Sequence, residues 1–215
     1  MYIEKNWGMI KTKQVIQSII LLLFLAFNSA LFAQDNSEAI KSDFANYLKA
    51  IKAQDFETSL DYLVEDVFEI IPKETMLILM EQTFNTEGVE FTFGDFVINE
   101  IKEPIVVDST SYVILNYENE MSIKYTEQQE EETSEEDKKL TQVMTHSLLE
   151  QQFGKGNVTY NKSTEFFDIK AIKKAIAIYN EDERKWKFLV VEKGNPFLLK
   201  SILPSSILEK VLTED

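Results

Sequence analysis

The stretch 111-SYVILNYENEMSIKY-125 carries the clearest period-two pattern in the chain. Val113, Leu115, Tyr117, Met121, Ile123 and Tyr125 fall on one face, while Asn116, Glu118, Glu120, Ser122 and Lys124 fall on the other. Successive side chains of a strand point to opposite faces, so this is a β-strand with one apolar and one wet side. Its length is far above the usual run of about five or six residues. Such a strand either breaks at a bulge or belongs to a strongly bent sheet.

Upstream, Val89, Phe91 and Phe93 alternate with polar partners, and "FVINEI" continues after Gly94-Asp95, which reads as a bulge or turn. Before that the period is helical. Ile40, Phe44, Leu48 and Ile51, with Tyr47 alongside, place an amphipathic helix over 37–53. Asp55 is a candidate N-cap for a second helix bearing Phe56, Leu60 and Leu63. "VFEII" reads as extended, because the residue before Pro72 is biased away from helix. Pro72 suits a first helical position, and Met76, Leu77, Met80 and Phe84, widened by Leu79, form the buried face of a third helix over 73–84.

Downstream, the acidic run "EQQEEETSEED" (127–137) reads as a solvated, mobile loop. A helix over 137–153 follows, carrying Leu140, Val143, Met144 and Leu148. Residues 158–173 suit a strand or a short helix. "KKAIAIYNEDERKWKFLVVE" is a hairpin around "NEDER", and "LPSSILEKVL" is a short C-terminal helix. Helices followed by long antiparallel strands define an α+β class. The expectation is N-terminal helices packed on a strongly curved, cone-like antiparallel sheet, with an inserted helix and a C-terminal helical tail. The break at "VFEIIPKE" would be the corner that lets two helices close that cone.

The order of these elements, with "DYLVEDVFEIIPKETM" and the "AIAIYNEDERKWKFLVV" hairpin, resembles the nuclear transport factor 2-like (SnoaL-like, cystatin-like) superfamily over roughly Ser37 to Val191, and is particularly similar to exported bacterial members. The resemblance implies a cone of bent sheet wrapped by helices, an interior pocket, and a homodimer formed through the sheet. Some members are enzymes, such as ketosteroid isomerases and polyketide cyclases, while others bind or scaffold. The acidic loop, the helix over 137–153 and the C-terminal tail depart from the family pattern.

The N-terminus has the layout of a signal peptide. Lys11 and Lys13 precede the unbroken apolar run Ile19–Phe27 and then the small-residue segment ending at Ala33. That run is too short to span a bilayer, which takes roughly 20 apolar residues. Residues 1–33 are therefore expected to be cleaved, leaving 34–215 as one domain with no stable membrane span. The absence of cysteine excludes disulfides, thiolate zinc sites and a lipid-anchor cysteine. An exported chain without disulfides fits the periplasm, cell surface or medium of a Gram-negative-type bacterium. The net charge of −15 disfavours nucleic-acid and anionic-membrane partners.

The chemistry is sparse. The one histidine, His146, has no neighbouring metal-ligand pattern, and with six glycines no phosphate-binding loop or nucleophile elbow is present. His146 is expected on the surface or loosely packed. Asp61, Tyr62, Asp95 and Tyr117 have the residue types of an isomerase site, but none matches a family catalytic position. No catalytic residue, metal or cofactor is assigned. Fifteen Phe, eight Tyr and two Trp fill a core and would also line a cone pocket. Tyr47, Tyr62, Phe91, Tyr117 and Trp186 are the expected lining. The leading reading is a non-enzymatic exported domain that binds a small apolar ligand or a protein partner. The alternatives are an isomerase- or cyclase-type enzyme using a carboxylate in the cone, and a structural envelope component.

Overall fold

A computed structural model describes residues 36–126, 134–192 and 196–213. The chain divides into two compact units, Met1–Ile40 and Lys41–Asp215. The segment expected to be a signal peptide, and residues 127–133 of the acidic run, lie outside the described residues. Of the first unit only 36–40 are described, and they are helical.

The N-terminal elements are α1 (36–52), α2 (Phe56–Leu60), α3 (Asp66–Ile70) and α4 (Lys73–Phe84). Asp55 caps α2, its side chain accepting from the Thr58 amide at 3.1 Å, which satisfies one of the orphan donors of a helix start. The "VFEII" segment differs from expectation. Asp66–Ile70 forms the short helix α3, whose first-turn acids Asp66 and Glu69 suit the helix dipole and whose Val67 is buried. The extended backbone is confined to Ile71 and Pro72, and Pro72 is the N-cap of α4 rather than its first helical residue.

Six strands follow: β1 (Val89–Ile101), β2 (Ile105–Val107), β3 (Thr110–Tyr125), β4 (Val158–Tyr160), β5 (Phe167–Asn180) and β6 (Lys185–Val191). All pair antiparallel. β3 and β5 form the centre; β1 and β2 pair β3 on one side, and β4 and β6 pair β5 on the other. The Gly94-Asp95 interruption is a bulge, since the β1–β3 register shifts between Phe93 and Phe96. At Gly94 a Cβ would lie 2.7 Å from the Glu120 Cβ, so only glycine fits. The sheet is not strongly curled, contrary to the expected cone. The β3–β5 ladder runs from Tyr112–Ile178 to Ile123–Phe167 without a register shift, and the bulges that would bend the long strands are confined to β1.

The odd-numbered residues of β3 and β5 carry the aromatic core of one face. Phe44 of α1 meets Tyr117 and Phe188 edge-on, each at 4.8 Å between centroids. On the other face Tyr112, Ile114, Ile176, Leu189 and Val191 pack with Val64 and Val67 and with two C-terminal helices, α6 (Pro196–Ile202) and α7 (Ser205–Thr213). Helix α6 has no counterpart in the sequence reading.

The inserted helix α5 (Glu135–Phe153) is capped by Ser134, which accepts from the Asp137 amide at 3.1 Å. It turns the expected stripe outward: Leu140, Val143, Met144 and Leu148 are all exposed. Leu149 is the residue it buries, against Ile123, Val158, Phe167 and Ile169. Helix α4 likewise buries none of its residues fully, and Leu79 is exposed. Periodicity identifies an apolar stripe, but which side finds a partner depends on where the sheet lies.

Candidate ligand-binding cavity

Register builds this site. Glu100 of β1 pairs with Asn116 of β3, Asn116 pairs with Lys174 of β5, and Lys174 pairs with Val191 of β6. A single row thus crosses four strands as carboxylate, carboxamide, ammonium and isopropyl group. Helix α7 stands beside the apolar end, where Val211 and Leu212 complete a wall with Val191, and Ile172 lies two residues along β5 from Lys174. Together with Asn99 and Lys173 these residues line a cavity of about 610 Å³. That volume falls within the range of small-molecule sites.

The polar groups are tied to one another. The Asn116 amide donates to Glu100 Oε2 at 2.7 Å, and the Asn99 amide donates to Glu118 Oε1 at 3.0 Å. Lys170 joins Glu118 at 2.6 Å and holds its carboxyl below the usual carboxylate range. The Lys174 Nζ donates to the Val211 carbonyl at 3.4 Å, at the end of α7 where helix carbonyls lack intrahelical partners. Lys173 is paired with Glu192.

None of the five residues expected to line a pocket lines this cavity. The structure places Tyr47 and Tyr117 together on the opposite face, around Phe44. Burial and the Glu192 carboxylate push the Tyr47 hydroxyl up to about 12, and burial, with Tyr47 and Glu192 nearby, raises Tyr117 well above its ordinary value. Trp186 packs on Tyr179, and its amide donates to Asp43 at 2.9 Å. Tyr62 receives the Lys185 ammonium over its ring at 5.5 Å. Phe91 sits edge-on to Phe84.

The candidate acids are surface groups. Asp61 is held by Lys73 and Asp95 by Lys52. His146 is part-buried, with Nε2 3.1 Å from the Val158 carbonyl, where it joins α5 to β4. Among the described residues no cluster of His, Cys, Asp and Glu could hold a metal, and no helix is long and apolar enough to cross a membrane. The cavity residues escaped the sequence reading because Asn116 falls on the wet side of its strand. Only the tertiary fold brings Val211 and Leu212 of α7 to that side.

No model of a known protein family matches the chain, and no curated protein matches it. Among solved structures it is similar to a protein of Shewanella denitrificans OS-217 named as a SnoaL-like polyketide cyclase, with 16% identity and a TM-score of 0.30. The match covers 75% of this chain and 96% of that one.

Proposed function

We propose that the chain is an exported, non-enzymatic binding domain whose small-molecule site is the cavity beside α7. The observation that carries this reading is the contrast between the two sides of the sheet. On the side that packs α1, Phe44 and Phe188 are wholly buried and Tyr117 nearly so, and their rings pack against one another. On the other side a cavity of about 610 Å³ stays open beside exposed apolar side chains.

Acid–base catalysis in an apolar site would use a carboxyl with a raised proton affinity. Glu118, which holds the Asn99 amide of the cavity wall, is instead shifted downward, chiefly by a hydrogen bond from Lys170. The exported location rests on the charge and hydropathy layout of residues 1–33.

Native mass spectrometry of the protein purified from its own host without detergent tests the reading. Added mass that survives gentle desolvation and disappears on unfolding is the expected result. A bare monomer or bare dimer would overturn the small-molecule role, and the dimer would redirect attention to association.

A further inference from the structure

We infer that the cavity takes an amphipathic organic cation: an amine on an apolar body. This rests on the cavity being a ligand site, and the row Glu100–Asn116–Lys174–Val191 supplies the chemistry. At its β1 end each amide gives a donor to a carboxylate, Asn116 to Glu100 and Asn99 to Glu118. A carboxylate accepts several hydrogen bonds and a carboxamide oxygen two, so that end is rich in acceptors, and the lining carboxylate there, Glu100, gives it a negative charge. Such a wall suits a donor-rich head group, and an ammonium suits it best, because a charged donor on a charged acceptor makes the stronger kind of hydrogen bond.

The cations near the site are occupied. Lys173 is paired with Glu192, and Lys174 is engaged at the Val211 carbonyl. Lys174 stands two strand spacings from Glu100, about 10 Å, so at physiological salt it repels a head group at Glu100 only weakly. The other end of the site is apolar. Ile172 is 57% exposed and Leu212 49% exposed, flanking the buried Val191 and Val211. From Glu100 to Val191 the row spans three strand spacings, about 14 Å, which suits a molecule with a head at one end and a tail at the other. A chain of net charge −15 also concentrates cations at its surface and repels anionic amphiphiles.

Three probes of one length separate the possibilities: decylamine, decanoate and decanol, titrated calorimetrically into the full chain at neutral pH and below aggregation. The expected result is that decylamine binds about tenfold or more tightly than decanoate. Glu100→Gln should erase that preference and leave decanol unchanged, while Ile172→Ser should weaken all three. Decanoate binding as well as the amine, or a preference that survives Glu100→Gln, would overturn the amine assignment and leave the cavity as a site of another selectivity. No binding of any probe would overturn the cavity reading with it. Unchanged folding of Glu100→Gln, checked by thermal melting, secures either conclusion.

Discussion

Phe44 and Tyr117 meet edge-to-face, with ring centroids 4.8 Å apart and planes inclined by 75°. The contact ties α1 to the middle of the longest strand, and Phe188 completes it at the same distance. Phe44→Ala removes a fully buried ring and leaves its volume unfilled. The expected loss is about 3–5 kcal/mol, read as the shift in urea midpoint. A loss below about 1 kcal/mol would mean that this face is not packed as described.

Burial raises the Tyr47 and Tyr117 hydroxyls above the ordinary tyrosine value. A tyrosine whose folded-state value is raised stabilises the fold below its unfolded value near 10, and that stability is lost as pH rises towards the folded value. For Tyr47 the window runs from about 10 to about 12. Tyr117→Phe should therefore keep more of its neutral-pH stability at high pH than the parent chain does. Denaturant melts at neutral and alkaline pH give the comparison, and equal relative losses would contradict it.

Glu183 bridges Lys185 at 2.7 Å and Lys187 at 2.6 Å, and their hydrogen bonds lower it to about 2 from an ordinary 4.5. Its stabilisation is present above 4.5 and fades as pH falls towards 2. Glu183 is partly exposed, so the expected contribution is at most about 1 kcal/mol. Glu183→Gln should lower stability at neutral pH, and the difference from the parent should vanish by about pH 2. A difference independent of pH would point to packing instead of charge.

Leu148 and Leu149 are adjacent and opposite in role. Leu149 is 5% exposed and docks α5, whereas Leu148 is 64% exposed. Leu149→Ala should cost about 2–5 kcal/mol or release α5 to proteases, while Leu148→Ala should stay within about 0.5 kcal/mol. Limited proteolysis and melting on the pair decide it, and a reversed order would mean that α5 docks by its other side.

Gly94→Ala places a methyl group 2.7 Å from the Glu120 Cβ within the bulge. The strand must shift, at a cost of about 1–3 kcal/mol. Asp95→Ala, beside it with its side chain 92% exposed, should cost much less. Equal melting temperatures for the two variants would contradict the bulge.

What could be read beforehand follows the range of the forces involved. The Asp55 cap, the Gly94 bulge and the β5–β6 hairpin depend on neighbouring residues, and local patterns contain them. The direction of α5 and the exposure of Leu79 depend on which surface lies opposite, and an apolar stripe does not reveal that. "VFEII" misled because Pro72 biases only the residue before it, so Asp66–Ile70 remained free to form a turn of helix. The aromatic load announced a core, but Tyr47 and Tyr117 fill space while the cavity belongs to Glu100, Asn116 and Lys174. Those three meet only through pairings between distant strands.

Leu63 lies in a parallel bridge with Phe188; the Phe188 amide donates to the Tyr62 carbonyl at 2.7 Å, and the Val64 amide donates to the Phe188 carbonyl at 3.2 Å. The Trp186 amide reaches Asp43 across 143 positions, and the Lys187 ammonium reaches the Asp61 carbonyl across 126. The early helices are therefore fastened by the last strand of the sheet. A nascent chain ending before Lys185 has no partner for these backbone groups and cannot close its N-terminal half. The hydrogen bonding of Asp43 and of Asp61–Val64 is thus completed only by residues of the final hairpin, which couples the first helices to the end of the sheet in one cooperative unit.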